Sequence, residues 1–437
     1  MQVKYNETPI DVVQHFDFRE TVKAHHSALY IDGNADEPFY VCNLGDIVRK
    51  HKIWYKKLPR VEPFYAMKCN PNHIIMKMLA SLQIGFDCAS KAEISQALEV
   101  GVPPERIIYA NPCKQESYLE FAKLNRVKMM TFDSSHELVK IKNIYPSALL
   151  VLRIFVGSSK ALCPLGLKFG ARTSDIPHLL ELAISLNLNV IGVSFHVGSG
   201  CFDPQAYSDA IFLAREVFGL AESMGIKMSL LDIGGGFPGN IDTESEIDFF
   251  EEVCSTINNC LDTYFPESSS VRIIAEPGRY YVSSAFQLAC TVTSIRSNIN
   301  ESGESVYGYF LNDGVYGSFN CTVFDHYIGK HYLLDDVESN NCNEPTFPSV
   351  FWGPTCDSID KILEGFQIKK LAIGDCVVFK CMGAYTMAAG CTFNGFQRAK
   401  VKYYTSSSEW NIVAPLFDLG KVEKNVEHVV ESDIQVS

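Results

Sequence analysis

The chain has no long hydrophobic run. Nothing approaches the ~20 consecutive apolar residues of a membrane-spanning helix, and the opening Met1-Gln-Val-Lys-Tyr5 lacks the apolar segment of a secretory signal. Positive charge is also short: 38 Lys and Arg stand against 51 Asp and Glu, a formal net charge of −13. That balance argues against the basic surface on which nucleic-acid and anionic-membrane binding depend. Cysteine is plentiful but not organised. The 15 cysteines are odd in number and scattered, and the near pair Cys376 and Cys381 has no second pair to complete a zinc site. Reduced thiols, no disulfide framework, no metal site and a cytoplasmic location are the expectations.

What the sequence does have is size and a repeating pattern. At 437 residues and 47% hydrophobic, it exceeds a usual single domain of up to about 250 residues, so a large domain plus a smaller one is expected. A polar leader is followed by Ala28-Leu-Tyr-Ile-Asp32, which reads as a strand, a short apolar run at Phe39–Cys42, and helical spacing from Leu44 to Lys57. From Phe64 onward, short apolar runs recur, each ending in a polar or Gly-rich corner. They are Phe64–Lys68, Ile84–Ala89, Ile107–Ala110, Met129–Phe132, Leu149–Ile154, Val190–Val197, Leu230–Ile233 and Arg272–Ala275. Between them, stretches such as Lys91–Gly101, Ile176–Leu186, Ala206–Gly225 and Glu244–Phe265 carry apolar residues at three- and four-residue intervals.

Eight strand-helix units predict an α/β fold, a (β/α)8 TIM-like barrel whose chemistry collects at the carboxyl ends of the strands. After Gly278 the pattern becomes β: Phe286–Ile295, Tyr307–Leu311, Cys376–Phe379 and Val401–Tyr404 are rich in Val, Thr and aromatics. A second, mainly antiparallel β-sheet domain follows from this. The expected division is 38–277 for the barrel, with 1–37 and 278–437 forming the β-domain and a C-terminal tail. Asp335–Phe347, polar and acidic, reads as a mobile loop, and the residues after Leu419 as a tail or short helix.

The strand-end corners hold Lys68, Asp87, Asn111, Asp133, Arg153, His196, Gly234–Gly236, and Glu276 with Arg279. Singly, each has an ordinary structural reading, such as a helix cap at Asp133. Their convergence on one rim does not. Asp232-Ile-Gly-Gly-Gly-Phe-Pro-Gly239 contains the dinucleotide fingerprint G-x-G-x-x-G. It belongs to the seventh barrel unit, however, has Pro238 inside it, and finds acidic residues downstream only in a helical segment. Consecutive glycines exposing backbone N–H groups instead suit phosphate, which barrels commonly bind after strands seven and eight. A phosphate site, a lysine able to form a Schiff base and a carboxylate on one rim describe a pyridoxal 5′-phosphate site.

Several strings carry a resemblance to a known family: Phe64-Tyr-Ala-Met-Lys-Cys-Asn70, Phe195-His-Val-Gly-Ser-Gly-Cys201, Asp232 to Gly239, and Glu276-Pro-Gly-Arg-Tyr-Tyr281. The second half adds Asn312-Asp-Gly-Val-Tyr-Gly-Ser-Phe-Asn320, Trp352-Gly-Pro-Thr-Cys-Asp357 and Met382-Gly-Ala-Tyr385. From about Phe39 to Tyr404 the chain resembles the eukaryotic ornithine decarboxylase family, pyridoxal-phosphate enzymes built from a barrel and a β-domain. The resemblance implies Lys68 as the cofactor-linked lysine, His196 stacked on the ring and Glu276 facing its nitrogen. It implies Ser199, Gly234, Gly235, Gly236, Gly278, Arg279 and Tyr385 around the phosphate, with Asp87 and Arg153 nearby. It further implies a homodimer with shared sites, in which Cys356 and Asp357 serve the partner's cofactor. Asp325 and Asp357 would receive the substrate's terminal ammonium, with Tyr316 and Phe393 beside it.

The implied reaction is decarboxylation of L-ornithine to putrescine, the first step of polyamine synthesis. A carboxylate about 4 Å from the ring nitrogen, at an effective dielectric of ~20, favours its protonated form by about 4 kcal/mol, or roughly three pKa units. In animals the family is regulated by antizyme, a partner that the resemblance assigns to the segment Lys114–Lys142. Here Lys114, Lys123, Arg126, Lys128, Lys140 and Lys142 alternate with Glu116, Glu120 and Glu137. The alternatives are a non-catalytic paralogue resembling antizyme inhibitor, and a decarboxylase of another amino acid. Lysine differs from ornithine by one methylene; diaminopimelate is disfavoured because its far end carries a carboxylate.

Overall fold

The computed structural model describes residues 1–34, 36–157, 161–163, 168–240, 243–299, 303–336 and 345–417. The eight apolar runs are strands: β1 (Val61–Ala66), β2 (Gly85–Cys88), β3 (Ile107–Tyr109), β4 (Met129–Phe132), β5 (Leu149–Arg153), β6 (Asn189–Ser194), β7 (Leu230–Asp232) and β8 (Arg272–Ala275). They pair in chain order, all parallel, and β8 returns to β1 to close the barrel. Helices cover the outside, and local chemistry starts them. Ser90 accepts a hydrogen bond from Glu93 N to cap Lys91–Glu99, and Thr243 with Glu246 forms a reciprocal capping box on Glu244–Tyr264.

Side chains alternate across a strand, so every second residue enters the barrel. One interior layer is apolar: Phe64, Ile108, Met129, Val151, Leu230 and Ile274 pack together, all buried. Two residues closer to the carboxyl ends the same alternation brings in Ala66, Asp87, Ala110, Thr131, Arg153, Ser194, Asp232 and Glu276. The barrel is thus plugged by hydrocarbon and capped from inside by charge. The glycine-rich run after β7 belongs to this barrel, as the sequence indicates, and not to a dinucleotide fold.

The second region is a ten-stranded sheet, and six of its nine strand pairings are antiparallel among the described residues. Its axis is Phe286–Ile299, which pairs with Phe39–Asn43 and Cys376–Phe379 along its buried half and with Ser305–Leu311 beyond. Phe39–Asn43 falls inside the span 38–277 expected for the barrel, yet it pairs in this open sheet with Phe286–Ile299 and Lys400–Ser406. Ala28–Asp32 is not a strand. It ends the helix Phe18–Ile31, which Asp17 caps; Val22 is buried, whereas Tyr30 and Ile31 face solvent. Thr346–Trp352 and Lys361–Lys369 are strands that the apolar-run criterion did not find: Lys361–Lys369 mixes apolar and polar residues at the sheet edge, and the apolar content of Thr346–Trp352, paired on both sides, is interrupted by Pro348 and Ser349. The expected loop Asp335–Phe347 falls largely on 337–344, outside the described residues, and the expected tail on 418–437, likewise outside them. Among the described residues, no helix is long and apolar enough to cross a membrane.

Barrel closure demands one close approach. β6 pairs Gly192 with Leu230 of β7, and a Cβ at position 192 would lie 2.0 Å from the Leu230 carbonyl oxygen. Backbone cannot move aside as a side chain can. Gly192→Ala is therefore expected to destabilise the protein by about 3 kcal/mol, the upper part of the usual overpacking range. Gly219 lies within the helix Pro204–Ser223, and nothing comes within 4 Å of an added Cβ. Gly219→Ala should instead stabilise by about 0.5–1 kcal/mol. Urea titrations of the two variants, followed by circular dichroism, should move the unfolding transition in opposite directions.

Candidate active site

The rim is assembled by register. β1 pairs Ala66 with Asp87 of β2, and the 3-10 turn Met67–Cys69 then lifts Lys68 over that pair. Lys68 Nζ donates a hydrogen bond to Asp87 Oδ2. The Lys68 side chain is 40% exposed and Asp87 only 1%, so the ammonium faces the cleft and its counterion the interior. Burial opposes the charged amine, but Asp87 and Glu276 outweigh it and hold the Lys68 pKa above the ordinary lysine range. Asp87 Oδ1 is buried with no hydrogen-bond partner.

His196 follows β6. Its Nδ1 accepts from Gly198 N at 2.9 Å, which leaves the proton of the neutral ring on Nε2. Burial, Arg153 and Lys68 all push its pKa well below the usual value, so the ring is uncharged at neutral pH. Arg153, at the end of β5, lies with its guanidinium 5.3 Å from the Phe169 ring centroid.

After β7 the glycine run closes against the β6 loop. Gly234 and Gly236 have φ of 63° and 100°, conformations that favour glycine. A Cβ on Gly235 would sit 2.8 Å from His196 Nε2, and one on Gly236 would sit 2.8 Å from the Gly198 carbonyl oxygen. The three glycines thus leave a cradle that any side chain would fill. One of its N–H groups is already committed: Gly234 N donates to Asp232 Oδ1 at 2.9 Å.

Glu276, just beyond β8, is 5% exposed, and its Oε1 has no hydrogen-bond partner. Burial first, then Asp232 and Asp87, hold its carboxyl well above the usual range. Asp232 is fully buried and pushed up to about 6 by burial. This residue was not singled out from the sequence, although the alternation that makes Leu230 interior also points Asp232 inward. Gly278 packs close to the Lys68 turn, since a Cβ there would meet Cys69 Cβ at 2.9 Å.

Arg279 and Asp325, which the resemblance assigns to opposite ends of the substrate complex, are brought together here. Arg279 Nη2 donates to both Asp325 oxygens at 2.6 Å and to Ser199 Oγ at 3.3 Å. The physical reason is burial: the two side chains are 13% and 6% exposed, and opposite charges so enclosed pair. The Arg279 guanidinium also lies 5.3 Å from the Tyr385 ring centroid. Tyr385 has φ of 55° and donates its backbone N–H to the Cys69 carbonyl at 2.9 Å, while Asn70 Nδ2 donates to the Gly383 carbonyl at 2.8 Å. These bonds tie the loop after Cys376–Phe379 to the Lys68 turn.

Lys68, His196, Ser199, Gly235, Gly236, Glu276, Gly278, Arg279 and Tyr385 line one cleft of about 20 Å³. Cys356 and Asp357 do not. They line a separate cavity of about 410 Å³ with Trp352 and Arg296. Their loop is held by Asp360, which accepts from Val315 N at 2.7 Å and from Thr355 N at 2.9 Å. Tyr316 donates to Asp357 Oδ2 at 2.5 Å and stacks on Phe393 with ring centroids 4.4 Å apart. The four residues Tyr316, Cys356, Asp357 and Phe393 are therefore a second constellation within the same chain, with Cys356 exposed.

The basic segment Lys114–Lys142 is less basic at its surface than its composition. Lys114 is buried against Glu137 at 2.9 Å, and Lys140 pairs with the same carboxylate at 2.6 Å. Lys123, Arg126 and Lys128 remain exposed.

Comparison with known proteins agrees with this geometry. Residues 44–283 match the family profile "Pyridoxal-dependent decarboxylase, pyridoxal binding domain". The chain is 50% identical over 386 residues to ornithine decarboxylase of Rattus norvegicus, covering 86% of this chain and 82% of that one. It is 51% identical over 385 residues to antizyme inhibitor 2 of Xenopus laevis, covering 86% and 83%. Among solved structures, arginine decarboxylase of Paramecium bursaria Chlorella virus superposes with a TM-score of 0.81 at 38% identity, over 89% of this chain and all of that one. A closed barrel with a lysine and a buried carboxylate on its rim, matched over more than half its length by that profile, places this chain in the pyridoxal-dependent decarboxylase family.

Proposed function

We propose that this protein decarboxylates L-ornithine to putrescine and CO2 as a cytosolic homodimer with shared active sites. The observation that carries the reading is the cleft in which Lys68 meets Asp87 while Glu276 holds an unpartnered oxygen, with the proton-donating Cys356 on a different cavity of the same chain. A second subunit supplying Cys356 and Asp357 resolves that separation. Cys42, Cys88, Cys254 and Cys290 are buried free thiols, which suits a reducing compartment.

Pyridoxal 5′-phosphate is the family's cofactor, and the residues present fit it. Glu276 Oε1, buried and unpartnered, suits a protonated ring nitrogen; the Gly235–Gly236 cradle, Ser199 and Arg279 suit a phosphate; the neutral face of His196 suits an aromatic ring. Once bound, the cofactor provides an electron-accepting ring for the pair released as CO2 departs. The protein does the rest. Lys68 supplies the amine that joins the cofactor's carbonyl, and the Asp87 carboxylate in hydrogen-bond contact orients it. Arg279 and Asp325, paired with each other in this structure, would part on binding, Arg279 to hold an anion and Asp325, with Asp357 from the second subunit, to receive the cationic end of the substrate. Cys356 delivers a proton to the substrate's Cα as the general acid. Lysine, one methylene longer, differs in binding by only about 1–3 kcal/mol, so the carboxylate pair selects a diamine product class more sharply than a chain length.

The second reading, a non-catalytic paralogue that binds antizyme, is favoured by the Xenopus match, at 51% identity against 50% for the rat enzyme. Retention of Lys68, Glu276 and Cys356 supports catalysis over it. Borohydride treatment of the holoprotein is expected to abolish its visible absorption, with the reduced cofactor recovered on the Lys68 peptide; recovery on another lysine would refute the assignment. Mixing inactive Lys68→Ala and Cys356→Ala proteins should restore partial CO2 release, because a mixed dimer regains one complete site. No recovery despite subunit exchange would exclude sharing. Cys356→Ala alone should lower putrescine formation by about 10²–10⁴-fold, the span of a lost general acid, while cofactor stays bound and aldehyde by-product rises. Wild-type turnover without by-product would remove Cys356 from the reaction.

A further inference from the structure

β7 and β8 run side by side, with Leu231 opposite Ile273 and Asp232 opposite Ile274. Leu230 and Ile274 both belong to the apolar layer inside the barrel, so Asp232 and Glu276, two residues further along, enter the same interior face from neighbouring strands. Asp232 is held at both oxygens: Oδ1 accepts from Gly234 N at 2.9 Å, and Oδ2 from Ser194 Oγ at 2.9 Å. Hydrogen bonds to a carboxylate favour its anion. Glu276 Oε1 has no such donor and borders the cleft.

The charges that face Glu276 come from every side. Asp232 enters from β7, Asp87 from β2, Lys68 from the turn after β1 and Arg153 from β5. Counting Glu276, three carboxylates meet two cations. We propose that Asp232 is a positioning residue that acts through Glu276, its fixed negative charge keeping a proton in the contact between Glu276 and the ring nitrogen of the bound cofactor. This rests on the reading of the cleft as the cofactor site. One proton is involved, and no electrons move. Asp232 neither donates nor accepts it; its charge sets the pH at which that proton is lost. Two donors hold Asp232 as its anion while Glu276 Oε1 has none, so at neutral pH the charge lies on Asp232 and the proton in the contact between Glu276 and the ring nitrogen. The influence therefore fades below about pH 6, where Asp232 itself becomes protonated.

The test reads the proton directly. Holoprotein is reconstituted with pyridoxal 5′-phosphate carrying nitrogen-15 in the ring, and the nitrogen signal is followed against pH by NMR. Asp232→Asn retains both contacts, its amide oxygen accepting from Gly234 N and its amide nitrogen reaching Ser194 Oγ, but lacks the charge. The expected result is a midpoint for ring-nitrogen deprotonation about 1–3 pH units lower than in the native protein, the range set by one nearby charge. A purely structural Asp232 predicts an unchanged midpoint in Asp232→Asn, and that result would overturn the proposal. Should Asp232→Asn yield no folded holoprotein, Ser194→Ala is read instead: it removes a donor that favours ionised Asp232 and should shift the midpoint in the same direction by less. An unchanged midpoint there overturns the proposal equally. A native protein that takes up no cofactor gives no visible band at all; that distinct outcome would overturn the underlying reading and the inference with it.

Discussion

Everything in the barrel mouth depends on one constraint, the two-residue period of parallel strands. An interior layer of Phe64, Ile108, Met129, Val151, Leu230 and Ile274 excludes water from below. The next inward positions cannot reach solvent from that side, and four of them are Asp87, Arg153, Asp232 and Glu276. Their pairing is consequently with one another and with Lys68, and each must be understood as part of a charge cluster on an apolar floor. Low local polarizability is what lets Asp87 hold Lys68 as an ammonium, and burial first, then Asp232, raises the Glu276 carboxyl above its usual range.

The open sheet contributes by contact at a few backbone atoms. Tyr385 N to the Cys69 carbonyl and Asn70 to the Gly383 carbonyl stitch its loop onto the turn that carries Lys68. Cys69, Asn70 and Gly383 are buried, and Tyr385 adopts a left-handed conformation that few non-glycine residues take. The rim is therefore built from both halves of the chain. By contrast, Cys356 and Asp357 line their own cavity, where Asp360 organises the loop and Tyr316, stacked on Phe393, donates to Asp357.

The barrel was legible because hydrophobic runs of strand length, separated by helical spacing, are its direct imprint: all eight expected runs became strands, each within three residues of its expected ends. The cleft residues were legible for the same reason, since corner polar groups at strand ends must share a rim. The misreadings have physical causes. Ala28–Asp32 is apolar, but Asp17 caps a helix that reaches it, and a cap is a longer-range signal than composition. The edge strand Lys361–Lys369 shows no apolar run because one face is wet, and Thr346–Trp352 shows only a short one because Pro348 and Ser349 interrupt it. The Arg279–Asp325 contact was invisible, because sequence order says nothing about which of several buried charges will meet. Asp232 was hidden in plain view inside a glycine motif that drew interest to its backbone.

Acids forced inward have a cost that appears elsewhere than in chemistry. A carboxyl whose pKa rises on folding contributes stability below its unfolded value, here 3.8 for Asp232, and loses it as pH climbs through the folded value of about 6. At neutral pH the fold therefore carries an electrostatic debt that a cationic ring would cancel, and by linkage whatever binds the native cleft deepens the folded well. Occupancy of the cleft then bears on the lifetime of the fold as well as on its chemistry, because each bound cofactor lowers the fraction of chains that are unfolded.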